Sequence, residues 1–218
     1  MYKNAINIIT NALLVSMLAV YPALALDEGI DYKTVTAPQL TETPGKIEVV
    51  ELFWYGCPHC YHIEPELQKW LANKPNNVAL RRMPSVLGEN WIMGAKVFYA
   101  AELLGVIDKL HVPLFEAIQE EHLELNDADK VADWFATHGV PKNDFLNALN
   151  AFVVDLKVRR ASQIGSELGL DGVPSFLVDG KYLTSPSMTG GTENAFKVIN
   201  ELIAQITASK TVTTPTAP

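Results

Sequence analysis

The chain has 218 residues, of which 48% are hydrophobic, 19% charged and 9% aromatic. That is long enough for one or two domains with a sizeable core, and it excludes intrinsic disorder, collagen and a disulfide-dense mini-scaffold. With 17 Lys and Arg against 25 Asp and Glu the formal net charge is −8, so a nucleic-acid backbone or an anionic membrane surface is repelled on average. The 2 cysteines, Cys57 and Cys60, are too few for a disulfide framework, and their spacing is the feature to explain.

Residues 1–25 carry one charge, Lys3, then the apolar run Ala12 to Val20, and end in Ala23-Leu24-Ala25, a small-x-small pattern before a cleavage site. This is the pattern of a secretory signal rather than of a membrane span, because Asn7, Thr10, Asn11, Ser16 and Pro22 interrupt it. Cleavage after Ala25 removes Lys3 and leaves 16 basic against 25 acidic residues, a formal charge of −9. The mature chain is therefore expected in an exported compartment where disulfides form and persist.

From Leu26 to Pro44 the sequence is polar, with a short strand expected at Tyr32 to Val35 and a turn at Thr43-Pro44-Gly45. Ile47 to Tyr55, IEVVELFWY, reads as a buried central strand. Cys57 follows through Gly56. Pro58 suits a first helical position, and Cys60, Ile63, Leu67, Trp70 and Leu71 recur at helical spacing, so the cysteines sit at a strand-to-helix junction. Pro65 is expected to kink or divide that helix. Val78 to Met83 reads as a second strand.

Helical patterns then run through Trp91 to Leu104, Lys109 to His122, Asp127 to His138, Lys142 to Asn150 and Val153 to Leu168. After Gly169 the β signals return: a strand at Ser175 to Val178, the Asp179-Gly180 hairpin turn and a strand near Lys181 to Leu183. A last amphipathic helix runs from about Glu193 to Ile206, before a Thr- and Pro-rich tail without the apolar content to pack. The order predicts an α/β architecture, one mixed sheet with a helical insertion as a cap.

Cys-Pro-His-Cys at a helix N-terminus places the first thiol against unpaired backbone N–H groups, which favour the reactive thiolate. The helix terminus alone lowers a thiol pKa by at most about 1.5. A deeper shift requires His59, as donor or imidazolium, and direct N–H bonds to the Cys57 sulfur. Cys57 is read as the exposed nucleophile and Cys60, one turn further in, as its buried partner. Two bland readings compete. Structural zinc would need a second ligand pair, whereas beside His59, His62 and Glu64 the remaining His111, His122 and His138 are scattered through the helical block. An inert structural disulfide would close too small a loop to constrain the unfolded chain.

Glu51-Leu-Phe-Trp-Tyr-Gly-Cys-Pro-His-Cys60, Gly172-Val-Pro-Ser-Phe176, Asp179-Gly-Lys-Tyr182 and the helical insertion together resemble the DsbA family of periplasmic thiol oxidants. The likeness covers essentially all of the mature chain. It implies a thioredoxin fold with a helical insertion, which on the elements above puts the thioredoxin-like parts at 26–88 and 162–207 and the inserted all-helical domain at 89–161, between a signal peptide at 1–25 and a disordered tail at 208–218. It further implies oxidation of newly exported, reduced and unfolded polypeptides, with reoxidation by a quinone-linked inner-membrane partner. No metal and no cofactor beyond the chain's own disulfide are expected. Through the same likeness Pro174 matches the cis-proline facing the disulfide, and the Val173 backbone is available to pair with an extended substrate segment. Glu51, six residues before Cys57 and set among apolar neighbours, would have a raised pKa and could exchange a proton with Cys60, or pair with Arg81 or Arg82. A dimeric isomerase would need a dimerisation domain before the first catalytic strand, and only about 20 residues are available there, which argues for a monomer. A reductase, a zinc-binding module and a non-catalytic chaperone are the rival readings.

Overall fold

The computed structural model describes residues 26–212. The expected signal peptide, 1–25, and the tail from 213 onward lie outside the described residues. β1 (Lys33–Thr34), β2 (Ile47–Phe53), α1 (Pro58–Asn73) and β3 (Val78–Pro84) are followed by a 3-10 turn, Glu89–Trp91. Then come α2 (Ile92–Leu103), α3 (Ile107–Gln119), α4 (Ala128–Thr137), α5 (Lys142–Leu149) and α6 (Phe152–Glu167). The chain returns through β4 (Ser175–Val178), β5 (Tyr182–Thr184), α7 (Pro186–Thr189) and α8 (Thr192–Val212). Among the described residues no helix is long and apolar enough to cross a membrane.

The sheet order is β1-β5-β4-β2-β3. β2 pairs in parallel with β3 across the α1 crossover and antiparallel with β4, so it is central, and all seven of its residues are buried. That burial explains its β-branched and aromatic composition, since a central strand must satisfy apolar layers on both faces. Ile47 and Val49 pack with Ile63, Leu67 and Trp70 of α1 and Phe196, Ile199 and Leu202 of α8. Val50 and Leu52 face the other way, into the core that holds the helical insertion. Within the insertion α2 is buried on most sides, and Phe135 of α4 stacks on Phe145 of α5 at 4.1 Å between ring centroids.

Several expectations are corrected. Pro65 neither ends nor divides α1, which runs unbroken to Asn73. The proline lies on the exposed side of the helix, away from the buried face of Cys60, Ile63, Leu67 and Trp70. The first strand shrinks to two residues, and α7 has no counterpart in the sequence reading. α8 continues to Val212, past residue 208 where the disordered tail was expected, and Lys210 reaches the buried Asp179 of the β4–β5 turn at 3.1 Å.

That turn has φ 50° at Asp179 and 68° at Gly180, the left-handed pair of a tight hairpin. Gln39 N–H donates to Gly180 O at 2.8 Å, and a Cβ on Gly180 would stand 2.1 Å from Gln39 O. Gly180→Ala is therefore expected to cost about 1–3 kcal/mol in urea unfolding. Gly169→Ala, at φ 57° but with open space around it, should lose only about 1 kcal/mol.

Candidate active site

β2 ends at Phe53, and three residues carry the chain to the N-terminus of α1. Trp54 folds back over the turn: a Cβ on Gly56 would lie 2.3 Å from the Trp54 ring, so only glycine fits beneath it. The indole stacks on Trp91 at 4.3 Å, with 10° between planes, and Trp54 O accepts from Cys57 N–H at 3.0 Å. Cys57 is the N-cap of α1 and Pro58 its first helical residue. Opposite lies the cis Val173–Pro174 bond, with Cys57 Sγ 3.4 Å from Val173 O. The five sequence-assigned residues Cys57, Pro58, Cys60, Val173 and Pro174 thus meet at one point. A cavity of about 330 Å³ opens beside them between His59, His62, Val173, Pro174 and Pro186.

Both cysteines are free thiols. Cys57 is less open than expected, at 8% exposure, but Cys60 is wholly enclosed, which keeps their order of accessibility. The Cys57 pKa falls to about 6, first through the hydrogen bond from the Cys60 thiol, then through the N–H groups of Cys60 and His59 and the His59 charge, against an opposing effect of burial. The exposed His59 therefore contributes less than its position in the motif suggested. Burial pushes the Cys60 thiol far up, and the charges of Cys57 and Glu51 act in the same direction. At pH 7 Cys57 is therefore ionised far more than an ordinary cysteine, of which only a few per cent is thiolate.

Under the pair lies a buried polar cluster drawn from four elements. Arg82 of β3 donates through Nε to Glu51 Oε2 of β2 at 2.9 Å and through Nη2 to Glu64 Oε2 of α1 at 3.0 Å. Glu64 is also bonded to His111 Nε2 of α3 at 3.2 Å, and His111 Nδ1 lies 2.9 Å from the Tyr55 hydroxyl. Glu51, Glu64 and His111 are at most 2% exposed. Burial, reinforced by the Glu64 charge, pushes Glu51 up to about 8 against the pull of Arg82. Burial brings His111 down to about 4. Glu64 resists the same burial and stays below the usual carboxylate range, through the His111 bond and the Arg82 charge.

Glu51, Glu64 and His111 bring one donor atom each within 4.8 Å of one another, a spacing a cation can bridge. The Arg82 guanidinium bridges the two carboxylates of this group. Of the two partners considered for Glu51 the structure selects Arg82; Arg81 turns to Glu48 at 3.4 Å and Glu42 at 3.7 Å. Sequence reading missed Tyr55, Glu64 and His111 as a group. The available signals were a carboxylate on the Cys60–Leu67 face of α1 and a histidine on the Leu110–Leu114 face of α3, polar residues where an apolar one is the rule.

The Cys57 thiolate absorbance of the reduced chain should titrate with a midpoint of about 6. Because this pKa is depressed in the fold, the thiolate contributes stability that is fully present above the unfolded value, about 8.5, and is lost as pH falls through 6. The reduced form should therefore gain on the oxidised form between pH 6 and 8.5 in paired denaturation curves, and a midpoint near 8.5 would remove the basis for both expectations.

The family model of the DSBA-like thioredoxin domain matches residues 48–202. The thiol:disulfide interchange protein DsbA of Pseudomonas syringae pv. tomato is 36% identical over 201 residues, covering 90% of this chain and 94% of its own. The protein of that name from Azotobacter vinelandii is 40% identical over 162 residues, 74% of this chain and 76% of its own. The crystal structure of Pseudomonas aeruginosa DsbA superposes with a TM-score of 0.79 at 37% identity, over 84% of this chain and 95% of that one. The chain belongs to the DSBA-like thioredoxin domain family of thiol:disulfide oxidoreductases.

Proposed function

We propose that the chain is a dithiol oxidase that donates a Cys57–Cys60 disulfide to reduced, newly exported polypeptides in the periplasm, acting as a monomer. The observation that carries this reading is the asymmetry of the pair: a Cys57 thiolate stabilised at the N-terminus of α1, and a Cys60 whose ionisation is strongly disfavoured. A substrate thiolate attacks Cys57 Sγ, the Sγ–Sγ bond breaks, and Cys60 leaves as a thiolate that takes a proton from Glu51. A second substrate thiolate then attacks the substrate sulfur of the mixed disulfide and expels the Cys57 thiolate. Two electrons pass from substrate to the cysteine pair, and no other cofactor enters. Since a stabilised thiolate is the better leaving group and makes the disulfide the stronger oxidant, the depressed Cys57 pKa favours this direction over reduction.

The cavity beside Val173 and Pro174 would receive the substrate backbone, between apolar Val173, Pro174 and Pro186 and the polar side chains of His59, His62, Ser187 and Thr192. The oxidant that restores the disulfide is, by family likeness, a quinone-linked protein of the inner membrane.

Replacing Cys60 by Ala should trap a mixed disulfide with a reduced unfolded polypeptide at Cys57, and replacing Cys57 by Ala should abolish trapping. Adducts formed through Cys60 instead would reverse the assignment. Stoichiometric zinc in the purified protein, or client binding undiminished in the double variant with no oxidase activity in the parent, would favour a metal-binding or chaperone role.

A further inference from the structure

The two buried carboxylates are unequally supplied with donors. Glu64 accepts Arg82 Nη2 on both oxygens, at 3.3 and 3.0 Å, and Gln68 Nε2 at 3.2 Å, and it faces His111 Nε2 at 3.2 Å. Glu51 accepts one bond, from Arg82 Nε at 2.9 Å, and its buried Oε1 has no hydrogen-bond partner. Arg82 and Gln68 can only donate here, and their three contacts favour Glu64 as the anion. His111 Nε2 must then carry the hydrogen, and Nδ1 accepts from the Tyr55 hydroxyl at 2.9 Å, a neutral ring with both nitrogens satisfied. His111 is packed edge-on against Phe53, Phe98 and Phe115, so its polar contacts are confined to Glu64 and Tyr55.

We propose that His111, supplied by the inserted helical domain, is a positioning residue for thiol–disulfide exchange: by holding Glu64 as the anion partnered to Arg82, it leaves the one transferable proton of the buried cluster on Glu51. This rests on the oxidase reading and deepens it. When Cys60 leaves as a thiolate, the Glu51 carboxylic acid transfers its proton to Cys60 Sγ and becomes a carboxylate already bonded to Arg82 Nε. The arrangement works only if Glu51, and not Glu64, is protonated beforehand. Two carboxylates sharing one guanidinium titrate as a pair, so a donor lost from Glu64 moves the proton toward Glu64 and away from the cysteines. The groups that face this pair are Arg82 from β3, Tyr55 from the turn after β2, Cys60 and Gln68 from α1, and His111 with the charge of Asp108 from α3. Asp108 and Glu102 also line the cavity that reaches Arg82 and His111 from outside.

Carboxyl-carbon NMR of the full chain, with Glu51 and Glu64 assigned through Glu51→Gln and Glu64→Gln, tests this directly. In the unaltered protein Glu51 should titrate near 8 while Glu64 stays ionised, and the His111 ring nitrogens should show the neutral form with hydrogen on Nε2. In His111→Leu the Glu51 midpoint should fall by about one pH unit and that of Glu64 should rise. The alkaline limb of the single-turnover reduction rate of the oxidised protein should move down with Glu51. His111→Gln, whose amide N–H can replace Nε2, should restore both. If His111→Leu does not fold, His111→Asn, too short to reach Glu64, takes its place. A folded variant with unchanged carboxyl midpoints, or hydrogen on Nδ1 of the native ring, overturns the proposal. The carboxyl titration does not depend on catalysis, so it fails or succeeds independently of mixed-disulfide trapping.

Discussion

One guanidinium serves two buried carboxylates directly beneath the reactive cysteines, and much of the molecule is arranged to make that tolerable. Taking ions out of water costs several kcal/mol each unless partners replace the lost hydration. Here the replacement comes from everywhere the chain can reach: Arg82 from the neighbouring parallel strand, Gln68 from the helix that follows the cysteines, His111 from the insertion, with Tyr55 behind it. β2, α1, β3 and α3 are thereby committed to one relative placement. The insertion is consequently more than a lid, since it completes the hydrogen bonding of an acid group that belongs to the thioredoxin-like part.

The chemistry above that cluster follows from a difference between two otherwise identical thiols. Cys57 lies at the open end of a helix, where N–H groups and its partner's S–H converge on its sulfur; Cys60 lies one turn deeper, where burial outweighs what little favours a charge. The same thiol–thiol hydrogen bond that lowers one pKa raises the other, so the asymmetry is self-reinforcing. Negative charge settles on the sulfur that faces Val173 and Pro174, and the buried sulfur requires a proton whenever the disulfide opens.

Local features of the fold were legible in the sequence because each had a local cause. The central strand announced itself by apolar residues on both faces, the helix start by Pro58, the hairpin by Asp179-Gly180 and the insertion by its run of helical spacings. Pro65 marks no boundary in the fold, since α1 runs through it to Asn73 on the packing of its buried face. The extension of α8 was invisible, since it leans on Lys210 meeting Asp179, a pairing set by tertiary structure. The site divided in the same way. The Cys-Pro-His-Cys run and Glu51 could be singled out from their own positions, whereas Glu64 and His111 are 47 residues apart and acquire their roles only where α1 and α3 pack. Each alone reads as a stray polar residue on an apolar face.

The stacked indoles of Trp54 and Trp91 join the reactive turn to the first turn of the insertion. A parallel pair 4.3 Å apart is close enough for its electronic transitions to couple. The setting of the insertion against the cysteine-bearing loop is thus recorded in the near-ultraviolet spectrum of the unlabelled chain. Since Trp54 also holds the Cys57 amide through its carbonyl, the chromophore that reports on domain placement is bonded to the backbone of the residue that reacts.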